Sequence, residues 1–299
     1  MKILVTGTHG LVGSELTHKL LGQGHTVTRL VRGDANARQR EASWSPSEGK
    51  IDAEAFEGLD AVVHLAGEGI ADGRWNDEKK KRILESRTQG TKLIAETAAK
   101  AKKKPKVLVC ASAIGYYGSR GDEVLTEASS PGQGFLADVC KAWEAACEPA
   151  RKAGIRVVNL RIGVVLSQDG GALKKMLLPF KMGAGGKLGS GHQYMSWITR
   201  EDLIGAIVHV IEHSDLQGPV NAVAPKPVTN AEFTKALGKV LKRPTVLPMP
   251  SFAAKVAFGE MADELLLSSA RVKPEKLEGS GYEYHSASIE EGLRSVLNK

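Results

Sequence analysis

Three glycines near the amino terminus are the first residues whose spacing implies a chemistry. The chain opens Lys2-Ile3-Leu4-Val5-Thr6-Gly7-Thr8-His9-Gly10-Leu11-Val12-Gly13, an apolar run that passes directly into the spacing G-x-x-G-x-x-G. A helical pattern follows, with Leu11, Leu16, Leu20 and Leu21 on one face. In a strand–turn–helix of this kind the glycines serve a tight turn, close backbone approach to a pyrophosphate, and close packing of helix on strand. The helix N-terminus adds free N–H groups and the positive end of a dipole. Gly7, Thr8, Gly10, Leu11, Val12 and Gly13 are therefore expected to cradle a dinucleotide. A glycine triplet alone is weak evidence; its place between a strand and a helix gives it weight.

The second strand, 26–33, bears on which dinucleotide. A carboxylate at its end usually binds the ribose 2′-hydroxyl of NAD, whereas an arginine accommodates the 2′-phosphate of NADP. Residues 26–33 contain no acid but include Arg29 and Arg32, and Asp34 comes beyond the strand. The guanidinium fork suits phosphate through paired charge-assisted bonds. NADP(H) is expected in preference to NAD(H), with Arg29 and Arg32 as its readers.

Other candidates follow at strand ends. The strand 60–67 finishes in Leu65-Ala66-Gly67, small enough for a cofactor to approach the backbone, and Glu68 opens a loop that runs to Trp75. His64, inside that apolar strand, reads as a packed histidine. The strand 106–111 leads into Ser112, Tyr116 and Tyr117, and the strand 155–160 into Arg161. Ligands of open α/β sheets bind at this carboxyl edge. Ser112 could donate to a substrate carbonyl, and Arg161 could bind an anion or form a structural ion pair.

The elements that must position these groups alternate, strand then helix, through the first two hundred residues. That rhythm implies an α/β fold, a Rossmann-type doubly wound parallel sheet covered on both faces. Helices are expected at 76–100, 134–152, 200–213 and 230–241. On 134–152 the apolar side reads as Phe135, Val139, Ala142, Trp143 and Ala146. Near Gly183 the pattern becomes glycine-rich, and 220–223 reads as a return to the sheet. The expected division is a dinucleotide-binding domain at 1–180, rejoined by 200–230, and a smaller mixed cap from 181–199 and 231–299.

Bulk properties exclude several classes. The chain has 299 residues, 42% hydrophobic and 25% charged, as for an ordinary globular protein. A net charge of +7 without a reader motif does not indicate nucleic-acid binding. Cys110, Cys140 and Cys147 show no metal-ligand spacing, and three are too few for a disulfide framework. No metal is expected. A first strand beginning at residue 2 leaves no room for a targeting segment, and no apolar run is long enough to span a membrane. A cytoplasmic protein with no membrane partner is the expectation.

The motifs in series resemble an extended short-chain dehydrogenase/reductase, the superfamily of sugar-nucleotide epimerases and dehydratases. They are Val5-Thr6-Gly7-x-x-Gly10-x-x-Gly13, Leu65-Ala66-Gly67, Ser112 with Tyr117-Gly118, and Leu160-Arg161-Ile162-Gly163. Gly73-Arg74-Trp75, Ser86-Arg87, Ser112 to Gly118 and Ser196-Trp197-Ile198 resemble an atypical, epimerase-like branch with a carboxy-terminal domain of unknown function. Gly259-Glu260-Met261 and Ser269-Ala270-Arg271-Val272-x-Pro274 carry that likeness into the last fifty residues. The resemblance implies NAD(P) binding, a small polar or nucleotide-linked substrate, and pairing into a homodimer through two long helices.

It also implies a general acid/base tyrosine and a lysine spaced Y-x-x-x-K on the helix after Ser112. Counting back four residues from Lys141 reaches Ala137, which has no titratable group. On this reading Lys141 survives to contact the nicotinamide ribose while the proton carrier is lost. Tyr116, Tyr117, Glu68 and Arg87 are the candidate substitutes, with Asp138 and a thiol at Cys140 behind them. Ser112, Tyr117 and Lys141 are the expected catalytic residues. Glu68, Arg87, Lys141 and Arg161 join the glycine turn, Arg29, Arg32, Leu65, Ala66 and Gly67 around the cofactor. Two functions stay open: an NADP(H)-dependent oxidoreductase or epimerase, and an NADP(H)-binding sensor or scaffold without catalysis.

Overall fold

The structure, a computed structural model, describes residues 1–71 and 73–299. Asp72, inside the expected 68–75 loop, lies outside the described residues. The amino-terminal half runs β1 (Lys2–Thr6), α1 (Gly13–Gly22), β2 (Thr26–Arg32), β3 (Glu41–Ser45), β4 (Lys50–Ile51), β5 (Ala61–His64), α2 (Asp77–Lys100) and β6 (Val107–Ala113). Then come β7 (Val124–Leu125), α3 (Phe135–Ala145), α4 (Glu148–Lys152), β8 (Arg156–Ile162), β9 (Val164–Leu166) and α5 (Gly171–Lys181). The remainder holds β10 (Tyr194–Met195), β11 (Trp197–Thr199), α6 (Arg200–Glu212), β12 (Gly218–Ala222), β13 (Val228–Thr229), α7 (Asn230–Leu241), α8 (Ser251–Phe258), β14 (Arg271–Val272), α9 (Glu275–Gly279) and α10 (Ile289–Leu297).

The central sheet has eight strands in the order β12-β8-β6-β5-β1-β2-β3-β4. Every neighbouring pair is parallel except β3 with β4. The chain leaves β1 toward β2 and β3, then returns to build β5, β6, β8 and β12 on the other side. This reversal opens a crevice at the carboxyl ends of β1 and β5, where α/β folds take their ligands.

Alternation along the strands builds the two cores, because successive side chains face opposite sides of the sheet. Ile3, Val5, Val63, Val109 and Val158 pack with Leu16 and Leu20 of α1 and with Leu203 and Ile207 of α6. Leu4, Val62, Leu108 and Val157 pack on the other side with Ile94, Ala95 and Ala98 of α2 and with Trp143 of α3. A third cluster joins α5, α7 and α10 around Trp197. Polar residues fix the helix starts: Asn76 caps α2, and Thr229 with Glu232 forms a capping box on α7.

Two helices depart from the sequence reading. The helix expected over 134–152 is two, α3 and α4, because the turn at Ala146–Cys147 leads into Pro149 at the start of α4. The helix α5 was unforeseen, since it starts within a glycine pair and carries Pro179. Its Leu173, Leu177 and Phe180 are buried at helical spacing.

Candidate functional site

The glycine turn forms as its spacing demands. Gly7 has φ +72°, and a Cβ there would lie 3.0 Å from the backbone of Leu65 and Ala66. At Gly13 a Cβ would lie 2.2 Å from the carbonyl oxygen of Gly7, closer than real atoms approach. Gly10 N–H closes the turn on Gly7 O at 2.9 Å. Among the described residues no side chain caps α1, so its first N–H groups face the crevice without a side-chain acceptor. Thr8 Oγ1 is buried and has no hydrogen-bond partner among the described residues. A turn too tight for any Cβ, an uncapped helix start and a buried hydroxyl without a described partner together fit a bound pyrophosphate.

Thr6 ties this turn to the next strand. Its Oγ1 accepts the N–H groups of Leu65 and Ala66, both at 3.1 Å, and lies 2.7 Å from His64 Nδ1. With both N–H groups pointing at it, the threonine gives its own proton to Nδ1, which leaves the ring proton on Nε2. His64 is wholly buried, edge-on to Trp44, and burial drives its pKa down to about 3. It is a packed, neutral histidine.

The floor beyond Leu65-Ala66-Gly67 is propped from below by Arg87. Its Nη1 donates to the carbonyls of Glu68 and Ile83, both at 3.1 Å, and the guanidinium stacks 4.9 Å from the Trp143 ring. Glu68 sits at the mouth, 2.7 Å from Lys79 Nζ and 3.9 Å from Arg82. The hydrogen bond from Lys79 holds its carboxyl below the usual range.

Arg29 and Arg32 differ in placement. Three residues apart on one strand, they project to opposite sides of the sheet. Arg29 pairs in register with Val5, inside the sheet, whereas Arg32 is the last residue of β2, at the carboxyl edge, with its charge felt by Glu68. Arg32 is the one at the crevice edge.

The expected catalytic group is rearranged. Ser112, at the carboxyl edge of β6, donates from Oγ to Glu144 Oε1 at 2.7 Å. Glu144 also takes Arg161 Nε at 2.8 Å and Nη2 at 2.9 Å, a buried bidentate pair. Arg161 Nη1 donates to Tyr117 Oη at 3.0 Å, and its guanidinium lies 3.4 Å from the centre of the Tyr116 ring. Burial works against the charge on Arg161, but hydrogen bonds to Glu144 and the pull of Tyr117 outweigh it, and its pKa lies above the ordinary value. Arg161 is thus structural rather than presented to a nucleotide. Tyr117 is corrected as well: it has no exposed surface, and its hydroxyl donates to Asn221 Oδ1 at 2.7 Å. Burial raises its pKa, against the opposing effect of Arg161.

Lys141 is not on the buried face of α3. The inward face of α3 is Leu136, Ala137, Val139, Cys140 and Trp143, one step round from the face read from sequence. Lys141 lies on the outer side, 43% exposed, with Nζ 2.6 Å from Asp138. The residue turned toward Ser112 is Cys140, whose thiol burial pushes up to about 11, the charge of Glu144 adding to the effect. The thiol is therefore protonated at neutral pH, and Lys141 does not activate it. Glu144 was missed. The signal was present, because at i+4 from Cys140 it shares the inward face.

Residues 3–223 match the model of the NAD dependent epimerase/dehydratase family, and residues 249–296 match a domain of unknown function, DUF1731. The chain belongs to the NAD dependent epimerase/dehydratase family. An epimerase family protein of Mycobacterium bovis, Mb2239, is 46% identical over 97% of this chain and 96% of its own. The crystal structure of human epimerase family protein SDR39U1 with NADPH superposes with a TM-score of 0.91 at 35% identity, covering both chains completely. UDP-glucuronic acid 4-epimerase of Bacillus cereus, 17% identical over 100% of this chain and 98% of its own, shares the fold at a TM-score of 0.78. The extended, epimerase-like reading of the sequence and the Rossmann-type sheet are both met.

Proposed function

We propose that this protein binds NADP(H) in the β1/β5 crevice and acts as an oxidoreductase or epimerase-like enzyme on a small polar or nucleotide-linked carbonyl or alcohol. The tight glycine turn, in which Gly7 and Gly13 pack on backbone with no room for a Cβ, set at the start of α1, is the observation that carries the cofactor assignment. The human relative's structure with NADPH supports the choice of nicotinamide nucleotide. Gly7 to Gly13 and the start of α1 would hold the pyrophosphate, Leu65 to Gly67 the adjoining backbone, and Arg32 the 2′-phosphate. A bound nicotinamide supplies a hydride donor or acceptor.

What the chain adds is proton handling at Ser112. Ser112 is itself buried, 2% exposed, and its hydroxyl proton points at Glu144; a substrate alcohol brought against it would meet its lone pairs and pass a proton to them, with Glu144 taking the serine's own. Arg161 holds both carboxylate oxygens, which fixes Glu144 beside the serine and leaves it little freedom to turn to another partner. Such a relay works slowly beside a tyrosine–lysine pair.

A second reading, a sensor or scaffold that binds NADP(H) without turnover, draws on that weakness and on Ala137 and Tyr117. The test is NADPH consumption with a panel of carbonyl compounds, comparing wild type with Ser112→Ala. Consumption by wild type, reduced about a hundredfold in the variant with NADPH binding intact, supports the enzyme. Binding without consumption supports the sensor.

A further inference from the structure

Of the ten large apolar side chains exposed among the described residues, seven fall in two short segments, Leu178 to Met182 and Val246 to Val256. Hydrogen bonds tie the two segments together. Leu247 N–H donates to Gly185 O at 3.3 Å, Met249 N–H to Lys187 O at 2.9 Å, and Arg243 Nε to Lys181 O at 2.9 Å. The helix α8 reads Ser-Phe-Ala-Ala-Lys-Val-Ala-Phe, yet only Ala254 of it is buried. Phe252 and Val256, one turn apart, are each 71% exposed. A helix so apolar is ordinarily covered, and exposed apolar surface concentrated in this way marks a contact surface.

The charge around the patch says what covers it. No acid occurs between Asp169 and Glu201, or between Glu232 and Glu260. Lys174, Lys181, Lys187, Lys242 and Arg243 lie in these stretches, all exposed and all without a salt bridge among the described residues. The polar bonds of Lys174, Lys187 and Arg243 run to backbone carbonyls, which leave the charge uncompensated. A second copy docked on the same face would set cations against cations, because a two-fold interface is self-complementary. Exposed apolar side chains on segments that also carry unpaired cations match a sheet of anionic headgroups over hydrocarbon.

We propose that the face formed by the end of α5, the 244–250 segment and α8 is a docking surface for an anionic phospholipid bilayer. It departs from the expectation of no membrane partner, which rested on the lack of a spanning run; a protein lying on the interface needs none. Docking sets the crevice rim close to the lipid, since Arg74, in the loop beyond Glu68, donates to the carbonyls of Val256 and Ala257.

The test is flotation of the purified full chain with vesicles of phosphatidylcholine alone and of phosphatidylcholine with one third phosphatidylglycerol. The protein is expected to float with the anionic vesicles and not the neutral ones, and less as salt is raised. The double variant Phe252→Glu with Val256→Glu should lower flotation about tenfold, with unchanged nicotinamide fluorescence on NADPH addition. No flotation with anionic vesicles overturns the proposal, as does equal flotation of the double variant. If the wild type sediments as a dimer that the variant breaks, and neither floats, the face belongs to a second copy and the proposal fails. No arm of the vesicle comparison requires nucleotide, so its failure leaves the cofactor assignment standing.

Discussion

At the scale of single residues, the crevice is defined by atoms that cannot be added and charges that cannot be left alone. Gly13→Ala should reduce NADPH affinity about a hundredfold or more, ~2.7 kcal/mol, because its methyl would meet the Gly7 carbonyl at 2.2 Å. Fluorescence titration of the folded variant checks this. Glu144→Ala should cost about 3–5 kcal/mol in denaturant unfolding, since it strands Arg161 in the interior without its carboxylate. Lys141→Ala should cost at most ~1 kcal/mol and leave NADPH affinity within about twofold, as for an exposed ion pair. A large loss of affinity there would restore Lys141 to the cofactor site.

His64 gives a pH prediction. Its folded pKa, about 3, lies below the unfolded value near 6.5. Below pH 6.5 the unfolded state binds a proton that the native state refuses, so stability falls as pH drops from 6.5 toward 3 and is unaffected above. Replacing His64 with Gln should flatten that slope by up to ~1.36 kcal/mol per pH unit, read from unfolding midpoints between pH 6 and 4. An unchanged slope would show that another group titrates.

At the scale of elements, legibility followed whether a pattern had one solution. The glycine turn and the helices read at 76–100 and 230–241 carried a helix period or a cap and lie within a residue of where the sequence placed them, while the strand read over 60–67 is Ala61–His64, its small-residue end Leu65 to Gly67 lying beyond the strand. The helix after Ser112 did not announce its register. Phe135, Val139 and Ala142 form a plausible stripe, but Cys140 packs better against Gly115 than the charged Lys141. One step of rotation carried Lys141 to solvent and Glu144 inward. No local pattern could show that Arg161 would choose Glu144, because their meeting depends on the β6–β8 pairing. Strand parity was available from sequence and separates Arg29 from Arg32. Arg32→Ala should weaken NADPH binding about tenfold or more, ~1.4 kcal/mol, and leave NADH binding unchanged, whereas Arg29→Ala should alter neither. Parallel titrations of the two variants decide it.

For the whole molecule, the topology places the chemistry more firmly than any single motif. The reversal of strand order at β1 and β5 puts the Gly7 turn, the Leu65 to Gly67 backbone and Ser112 along one edge. Alternating elements made this sheet legible, while the segment 171–199 and the last fifty residues, built from short strands and helices, offered little periodicity to read. The central claim is that this edge holds NADP(H). Its most direct test is a titration of NADPH and of NADH into the purified protein, following nicotinamide fluorescence. Saturable binding of NADPH, at least about tenfold tighter than NADH, is the predicted result. Failure of both nucleotides to bind, with the protein folded, would contradict the account.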